Sequence, residues 1–265
     1  MAQPDRGGIG APDATREDHA IAAQLATEAG EMLLELRDRL ARSGLPPKAI
    51  GRRGDAASHE VLIERLAHLR PEDAVLSEEG RIDDRRLAVR RVWIVDPLDG
   101  TREYGDVPRT DWAVHVALVV DGVAAAGAVA LPARGLTLAS LPAPPPPPAR
   151  DARPRLVVSR SRPPVEAELI ARDLGGELVP LGSAGAKAMA VVLGEADLYA
   201  HSGGQYEWDS AAPVAVAHAA GLHASRLDGS PLVYNHPDPY LPDLLICRQE
   251  YADAAIAAAS RTWRG

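Results

Sequence analysis

Trp93-Ile94-Val95-Asp96-Pro97-Leu98-Asp99-Gly100-Thr101 is the stretch on which the reading of this chain turns. Val92 to Val95 is an apolar, β-rich run that ends on Asp96, where Pro97 forces a turn. Asp99 follows three residues after Asp96, Gly100 lets the backbone approach a ligand closely, and Thr101 opens the next segment. Two carboxylates therefore converge at one strand end. Asp-Pro and Asp-Gly are also favoured turn dipeptides, so by itself the run reads equally well as an ordinary turn.

Upstream, Val75-Leu76-Ser77 runs into Glu78-Glu79, adjacent acids at the point where a buried strand emerges. Such a pair is costly unless a cation or proton offsets it; the alternative is a solvated acidic turn beside Arg81. Downstream, Asp209 lies in Glu207-Trp208-Asp209-Ser210-Ala211-Ala212, where a helix begins, and an N-cap is its alternative role. Carboxylates and the Leu98 carbonyl are hard oxygen donors, and no Cys or His falls at zinc-ligand spacing, so Mg²⁺ is the expected ion, with Mn²⁺ also suited. Two such ions roughly 3.5–4 Å apart can clamp a phosphate and activate a water, which is the chemistry of phosphoester hydrolysis.

Around these motifs the chain divides into a tail over residues 1–14, a first half over 15–141, a proline-rich loop over 142–154 and a second half over 155–265. Thr15-Arg16-Glu17-Asp18 resembles a capping box, and Ile21, Leu25, Met32, Leu33, Leu36 and Leu40 recur at helical spacing up to Ser43-Gly44. Lys48 to Gly54 is polar and glycine-rich; Val61, Leu62, Leu66 and Leu69 then mark a second helix, with Asp55 near its start. Strands are expected over 74–77, 92–95, 113–120 and 123–131, the last two joined by the hairpin signal Asp121-Gly122. The second half alternates strands near 156–159, 196–201 and 244–248 with helices near 165–174, 182–193, 208–220 and from about 251, as an α/β layer does.

The chain has 265 residues, enough to bury a large core, and its 29 Lys and Arg against 37 Asp and Glu give a formal net charge of −8. That balance disfavours nucleic acid and anionic membranes as partners but leaves room for a small anionic substrate held by metal ions. Cys247 stands alone, which excludes an internal disulfide and cysteine-rich metal sites and suits a cytoplasmic protein. No apolar run approaches the ~20 residues of a membrane span, and the first residues lack the apolar stretch of roughly 7 to 15 residues of a secretory signal.

Ser77-Glu78-Glu79, Asp96-Pro97-Leu98-Asp99-Gly100-Thr101 and Trp208-Asp209-Ser210-Ala211-Ala212, in this order, resemble the inositol monophosphatase superfamily of Mg²⁺-dependent, Li⁺-sensitive phosphatases. The resemblance implies a layered α-β-α-β-α sandwich, with Glu78, Asp96, Asp99 and the Leu98 carbonyl binding the first two metals and Asp209 joining Asp96 and Asp99 around the second. It implies that Thr101, paired with Asp55, activates the nucleophilic water, which is sensible for a hydroxyl bonded to a carboxylate. An N-cap on the second helix is the alternative for Asp55. Backbone N–H groups of Gly100 and Thr101 are expected to hold phosphate oxygens.

Gly182-Ser183-Ala184-Gly185-Ala186-Lys187, the run from Leu156 to Arg162 and the tail from Asp228 to Asn235 resemble the 3′(2′),5′-bisphosphate nucleotidase branch. That branch converts 3′-phosphoadenosine 5′-phosphate to AMP and phosphate in sulfate assimilation. By this resemblance Ser159, Arg160, Ser183 and Lys187 are substrate contacts, together with Asp209; a surface salt bridge is the alternative for Arg160. Arg162 stands where the branch commonly has His, and could stack on a base. Inositol-selective members place an acid where this chain has Ser202, which argues against inositol phosphate as the main substrate. A homodimer is an expectation by analogy. The competing readings are the same hydrolysis acting on fructose 1,6-bisphosphate or inositol monophosphate, a non-catalytic binder of metal or nucleotide, and an acidic scaffold displaying Pro144 to Pro148.

Overall fold

The computed structural model describes residues 14–148 and 152–261. Of the tail expected over 1–14, all but Ala14 lies outside the described residues, as does 149–151 of the proline-rich segment.

The first helix, α1 (Arg16–Arg42), begins with the expected capping box: Asp18 N–H donates to Thr15 Oγ1 at 3.2 Å and Thr15 N–H to an Asp18 carboxylate oxygen at 2.7 Å. Helix α2 (Pro47–Leu69) starts about two turns earlier than the periodicity suggests, with Pro47 at its first position. Asp55 is therefore interior to α2, and its N-cap alternative is removed; the cap position is Pro46. The polar segment is helical because its glycines answer a packing demand. A Cβ on Gly51 would lie 2.7 Å from Thr101 Cγ2, and one on Gly54 would lie 2.7 Å from the Tyr104 ring and 2.8 Å from Leu98 Cδ2.

The first sheet has the order β1 (Ala74–Ser77), β2 (Arg91–Asp99), β3 (Ala113–Val120), β4 (Val123–Leu131), β5 (Leu136–Ala139). Only β1–β2 is parallel; the rest pair antiparallel. β2 does not stop at Asp96: it runs on through Pro97, with the ladder to β3 shifting register between Asp96 and Asp99. Proline lacks the N–H for a ladder bond, and the irregularity accommodates it. The turn of Asp121 and Gly122 takes positive φ at both residues, as a two-residue hairpin turn of matching twist requires. A five-residue helix, α3 (Thr101–Gly105), follows β2 directly.

The second sheet has the order β7 (Glu177–Leu181), β6 (Arg155–Ser159), β8 (Leu198–Tyr206), β10 (Tyr240–Cys247), β9 (His223–Ser225). Its helices are α4 (Val165–Leu174), α5 (Ala184–Val192), α6 (Glu207–Ala219) and α7 (Ala252–Ala259). β5, β7 and β9 escape the sequence reading: each has five residues or fewer, and β7 contains Pro180 and faces solvent over much of its length.

Three apolar clusters define the layers. One joins α1 and α2 to one face of the first sheet; a second joins the opposite face to α5, α6 and the second sheet; the third joins the outer face of the second sheet to α4 and α7. The result is the expected α-β-α-β-α sandwich, with α5 and α6 as its middle layer. The prolines from 142 to 148 form no regular element and are mostly exposed, and the segment is anchored where Arg248 Nη1 donates to the Pro148 carbonyl at 2.8 Å. Among the described residues no helix is long and apolar enough to cross a membrane.

Candidate active site

The register shift in β2 turns Asp96 and Asp99 toward the middle layer, where α6 brings Asp209. One carboxylate oxygen from each of the three lies within 4.8 Å of the others. Leu98 N–H donates to Asp96 Oδ1 at 3.1 Å and Ser58 Oγ donates to the Pro97 carbonyl at 2.7 Å, so the irregular backbone is pinned from both sides. Asp209 is the third residue of α6, and its Oδ2 accepts the Tyr206 N–H at 2.7 Å. Asp209 is therefore not the N-cap, which is Tyr206; its carboxylate satisfies that residue's N–H with only one of its two oxygens.

Burial, then repulsion from Glu78, Asp99 and Asp209, raises the Asp96 pKa well above the ordinary carboxylate value. Asp209 rises for the same reasons, with Asp99 as the strongest neighbour. Asp99 moves the other way. Burial opposes its charge, but His115, Lys187 and the Ser183 hydroxyl outweigh that, and its pKa falls. Ser183 Oγ reaches Asp99 Oδ2 at 2.5 Å, Gly185 N–H reaches the same oxygen at 2.6 Å, and Ala184 N–H donates to Oδ1 at 3.0 Å. The carboxylate thereby sits on the first backbone N–H groups of α5, where the helix dipole favours a negative charge. A compact set of three oxygen donors, two of them reluctant to ionise unaided, fits a hard divalent cation.

Thr101 Oγ1 donates to Asp55 Oδ1 at 3.1 Å and lies 3.3 Å from the Leu98 carbonyl, so the pair expected from sequence meets across the α2–α3 contact. Burial pushes the Asp55 carboxyl up to about 7, against the pull of the Thr101 bond and with help from the charge of Glu79. Glu78 lies outside the three-oxygen cluster, on the cleft wall, but its carboxyl reaches Asp96 by a side-chain hydrogen bond; burial of the carboxyl and then the charges of Asp99, Asp55 and Glu79 push its pKa up to about 7 against that bond. Glu79 is exposed, and Gly80 N–H closes a turn onto the Ser77 carbonyl at 3.1 Å.

An open cleft of about 440 Å³ adjoins these groups, lined in part by Glu78, Gly100, Thr101, Arg160, Ser183 and Lys187; Ser159, Arg162, Arg102 and Glu103 also face it. Gly100 holds φ at 88°, which only glycine adopts readily, with α3 starting at the next residue. Lys187 is buried, donates to the carbonyls of Gly182 at 3.2 Å and Ser183 at 2.5 Å, and stands 5.3 Å from the centre of the Tyr199 ring. Arg160 pairs with Glu103 at 2.6 Å, so its salt-bridge alternative and its place on the cleft coexist. Trp112 is wholly buried edge-on to Tyr104, a core residue.

Sequence reasoning missed His115, the α5 donors to Asp99, and Arg102 and Glu103 on the cleft wall. For His115 a signal was present: it is the single polar residue of Ala113–Val120, an otherwise apolar strand.

Comparison with known proteins gives a consistent picture. The sequence profile of the inositol monophosphatase family matches residues 15–144 and 147–263. The 3′-phosphoadenosine 5′-phosphate phosphatase of Mycobacterium leprae is 49% identical over 259 residues, covering 93% of this chain and 95% of that protein. The 3′(2′),5′-bisphosphate nucleotidase CysQ of Escherichia coli K12 is 33% identical over 233 residues, covering 82% and 94%. Among solved structures, CysQ from Bacteroides thetaiotaomicron superposes with a TM-score of 0.72 at 27% identity, covering 88% of this chain and 98% of that one. Inositol monophosphatase II from Staphylococcus aureus gives 0.75 at 20% identity, over 92% and 93%, a likeness of fold.

Proposed function

The chain belongs to the inositol monophosphatase family, and from that premise we propose that it is a metal-dependent phosphatase that removes the 3′-phosphate of 3′-phosphoadenosine 5′-phosphate, yielding AMP and phosphate. Its 49% identity to a phosphatase of that name supports the substrate. The observation that carries the chemistry is the meeting of Asp96, Asp99 and Asp209 beside the Thr101–Asp55 hydrogen bond.

In this reading Asp96, Asp99, Asp209, Glu78 and the Leu98 carbonyl hold Mg²⁺, two ions or three, with Mn²⁺ as a substitute. When bound, such ions polarise the phosphate and acidify water. The chain does the rest. Because the Thr101 hydroxyl donates to Asp55, its oxygen is left to accept from a water in the cleft, fixing that water's orientation. The water proton passes by way of Thr101 to Asp55, whose pKa of about 7 suits a base at neutral pH. The water oxygen bonds to phosphorus as the bond to the 3′ oxygen breaks, and the leaving oxygen takes a proton from solvent in the open cleft to become the 3′ hydroxyl of AMP. Backbone N–H groups of Gly100 and Thr101 hold the phosphate under attack. Lys187 and Arg160 meet the 5′-phosphate that survives, with Ser159 and Ser183 as further substrate contacts; two of the three Lys187 protons already hold carbonyls, so it offers one.

A cytoplasmic setting, a role in sulfate assimilation and a homodimer complete the proposal; the lone, buried Cys247 suits a reducing compartment. The test is phosphate release by the purified protein with Mg²⁺, from the nucleotide, inositol 1-phosphate and fructose 1,6-bisphosphate offered separately. A large kcat/KM preference for the nucleotide is expected. Comparable rates on all three refute the substrate assignment, and no release from any refutes the enzyme.

A further inference from the structure

An imidazole in the apolar strand β3 needs partners, because a buried polar ring without them is costly. His115 is wholly buried, and its register partner across the ladder is Asp96. Nδ1 lies 3.0 Å from the Trp208 carbonyl, which only accepts, so this nitrogen carries a proton. Nε2 lies 3.2 Å from Asp99 Oδ2, a close packing contact without the alignment of a directed hydrogen bond. The ring thus spans the gap between one acid of the cluster and the residue preceding another. It fits only because residue 185 has no side chain: a Cβ there would stand 2.1 Å from Nε2.

We infer that His115 is a positioning residue that clamps Asp99 from the sheet side and ties it to the start of α6, and that Gly185 is the notch that admits the ring. Asp99 is then gripped from two directions. Ser183, Ala184 and Gly185 hold it from α5, His115 closes on Oδ2, and Oδ1, with a single hydrogen bond, keeps a lone pair for an ion. Through its Nδ1 bond the same ring fixes the backbone at Trp208, so the Asp99-to-Asp209 spacing is set by one rigid group. This inference rests on the reading of Asp96, Asp99 and Asp209 as metal ligands.

The test titrates wild type, His115→Ala, His115→Asn, His115→Gln, Gly185→Ala and the His115→Ala/Gly185→Ala double variant with Mn²⁺ by calorimetry, with Tm of the metal-free proteins measured alongside. His115→Ala should weaken Mn²⁺ binding about 10- to 100-fold, the usual cost of losing a group that orients a ligand. Asn carries a donor where Nδ1 lies and Gln where Nε2 lies, so each should recover part of the loss. Gly185→Ala should weaken binding at least as much as His115→Ala, and the double variant should match His115→Ala, because the vacated ring space receives the new methyl group. Mn²⁺ affinity within twofold of wild type in His115→Ala, with Asp99→Asn losing it, overturns the inference and leaves the metal site standing. Full binding in Asp99→Asn overturns both. Additive losses in the double variant refute the notch. Should Gly185→Ala not fold, the three His115 substitutions alone decide.

Discussion

Replacing Gly54 by alanine sets two physical effects of opposite sign against each other. Gly54 lies inside α2, where alanine should stabilise an exposed helix by about 1 kcal/mol. It is buried, however, and the added Cβ would stand 2.7 Å from Tyr104 Cε1 and 2.8 Å from Leu98 Cδ2. Ordinary carbon contacts start near ~3.5 Å, so α2 must retreat from α3 by about 0.8 Å. Overpacking of that kind costs about 1–3 kcal/mol. Both walls are fully buried and Tyr104 is held by its bond to the Leu33 carbonyl at 2.8 Å, which leaves little room to yield and places the cost at the upper end. The net loss is then about 1–2 kcal/mol, a fall in Tm of roughly 2–8 °C for a chain of this size. Activity should suffer more than stability, since Asp55 is the next residue and its retreat stretches the 3.1 Å bond from Thr101. A misplacement approaching 1 Å can cost about 100-fold in rate, so kcat should drop about 10- to 100-fold with KM nearly unchanged. Thermal melting and steady-state phosphate release read both quantities. A variant more stable than wild type with full kcat would refute the packing argument and the role given to Asp55 together.

Other expectations concern charge and proton transfer. The raised carboxyls of Asp55 and Asp209 bind protons in the folded state that the unfolded chain gives up, so their contribution to stability is complete below pH ~4 and is lost as pH rises through about 7, and Asp96 is raised in the same direction. Metal-free protein should therefore melt at progressively lower temperature from pH 5 to 8, with Mg²⁺ restoring more at pH 8 than at pH 5; an Mg²⁺ effect independent of pH speaks against the cluster as the binding site. Thr101→Ala and Asp55→Asn should each lower kcat by about 10²- to 10⁴-fold, the range of general-base catalysis, with circular dichroism unchanged; wild-type turnover in either discards the pair. Arg160→Ala should raise KM for the nucleotide and spare inositol 1-phosphate, and an equal effect on both would make Arg160 a mere partner of Glu103.

Most of the site could be read from the sequence because its acids sit at element ends, where the turn chemistry of Asp-Pro and Asp-Gly and the capping residues of α6 leave local marks. Helical spacing of apolar residues marked α1, and β3 and β4 were marked as short apolar runs joined by the Asp121-Gly122 turn signal. What escaped depends on contacts distant in the chain. Gly51 and Gly54 read as loop residues because their purpose, close approach to α3, lies some fifty positions away. Pro97 read as a strand terminator because a ladder irregularity that tolerates it has no local signature. Gly203 and Gly204 continue β8 beyond the expected end, both with positive φ.

The cleft has two walls of different origin. Thr101, Gly100 and the acids belong to elements locked into the two inner clusters, whereas Ser159 ends β6 half-buried and Arg160, Ser161 and Arg162 sit on the connection from β6 to α4, facing solvent. Substitutions on that connection carry little folding cost, while those on the reacting wall disturb packed layers. Such an arrangement lets descendants of one gene diverge in what they accept while inheriting unchanged how they hydrolyse it, so selection for a new metabolite has a short path through a few neighbouring codons.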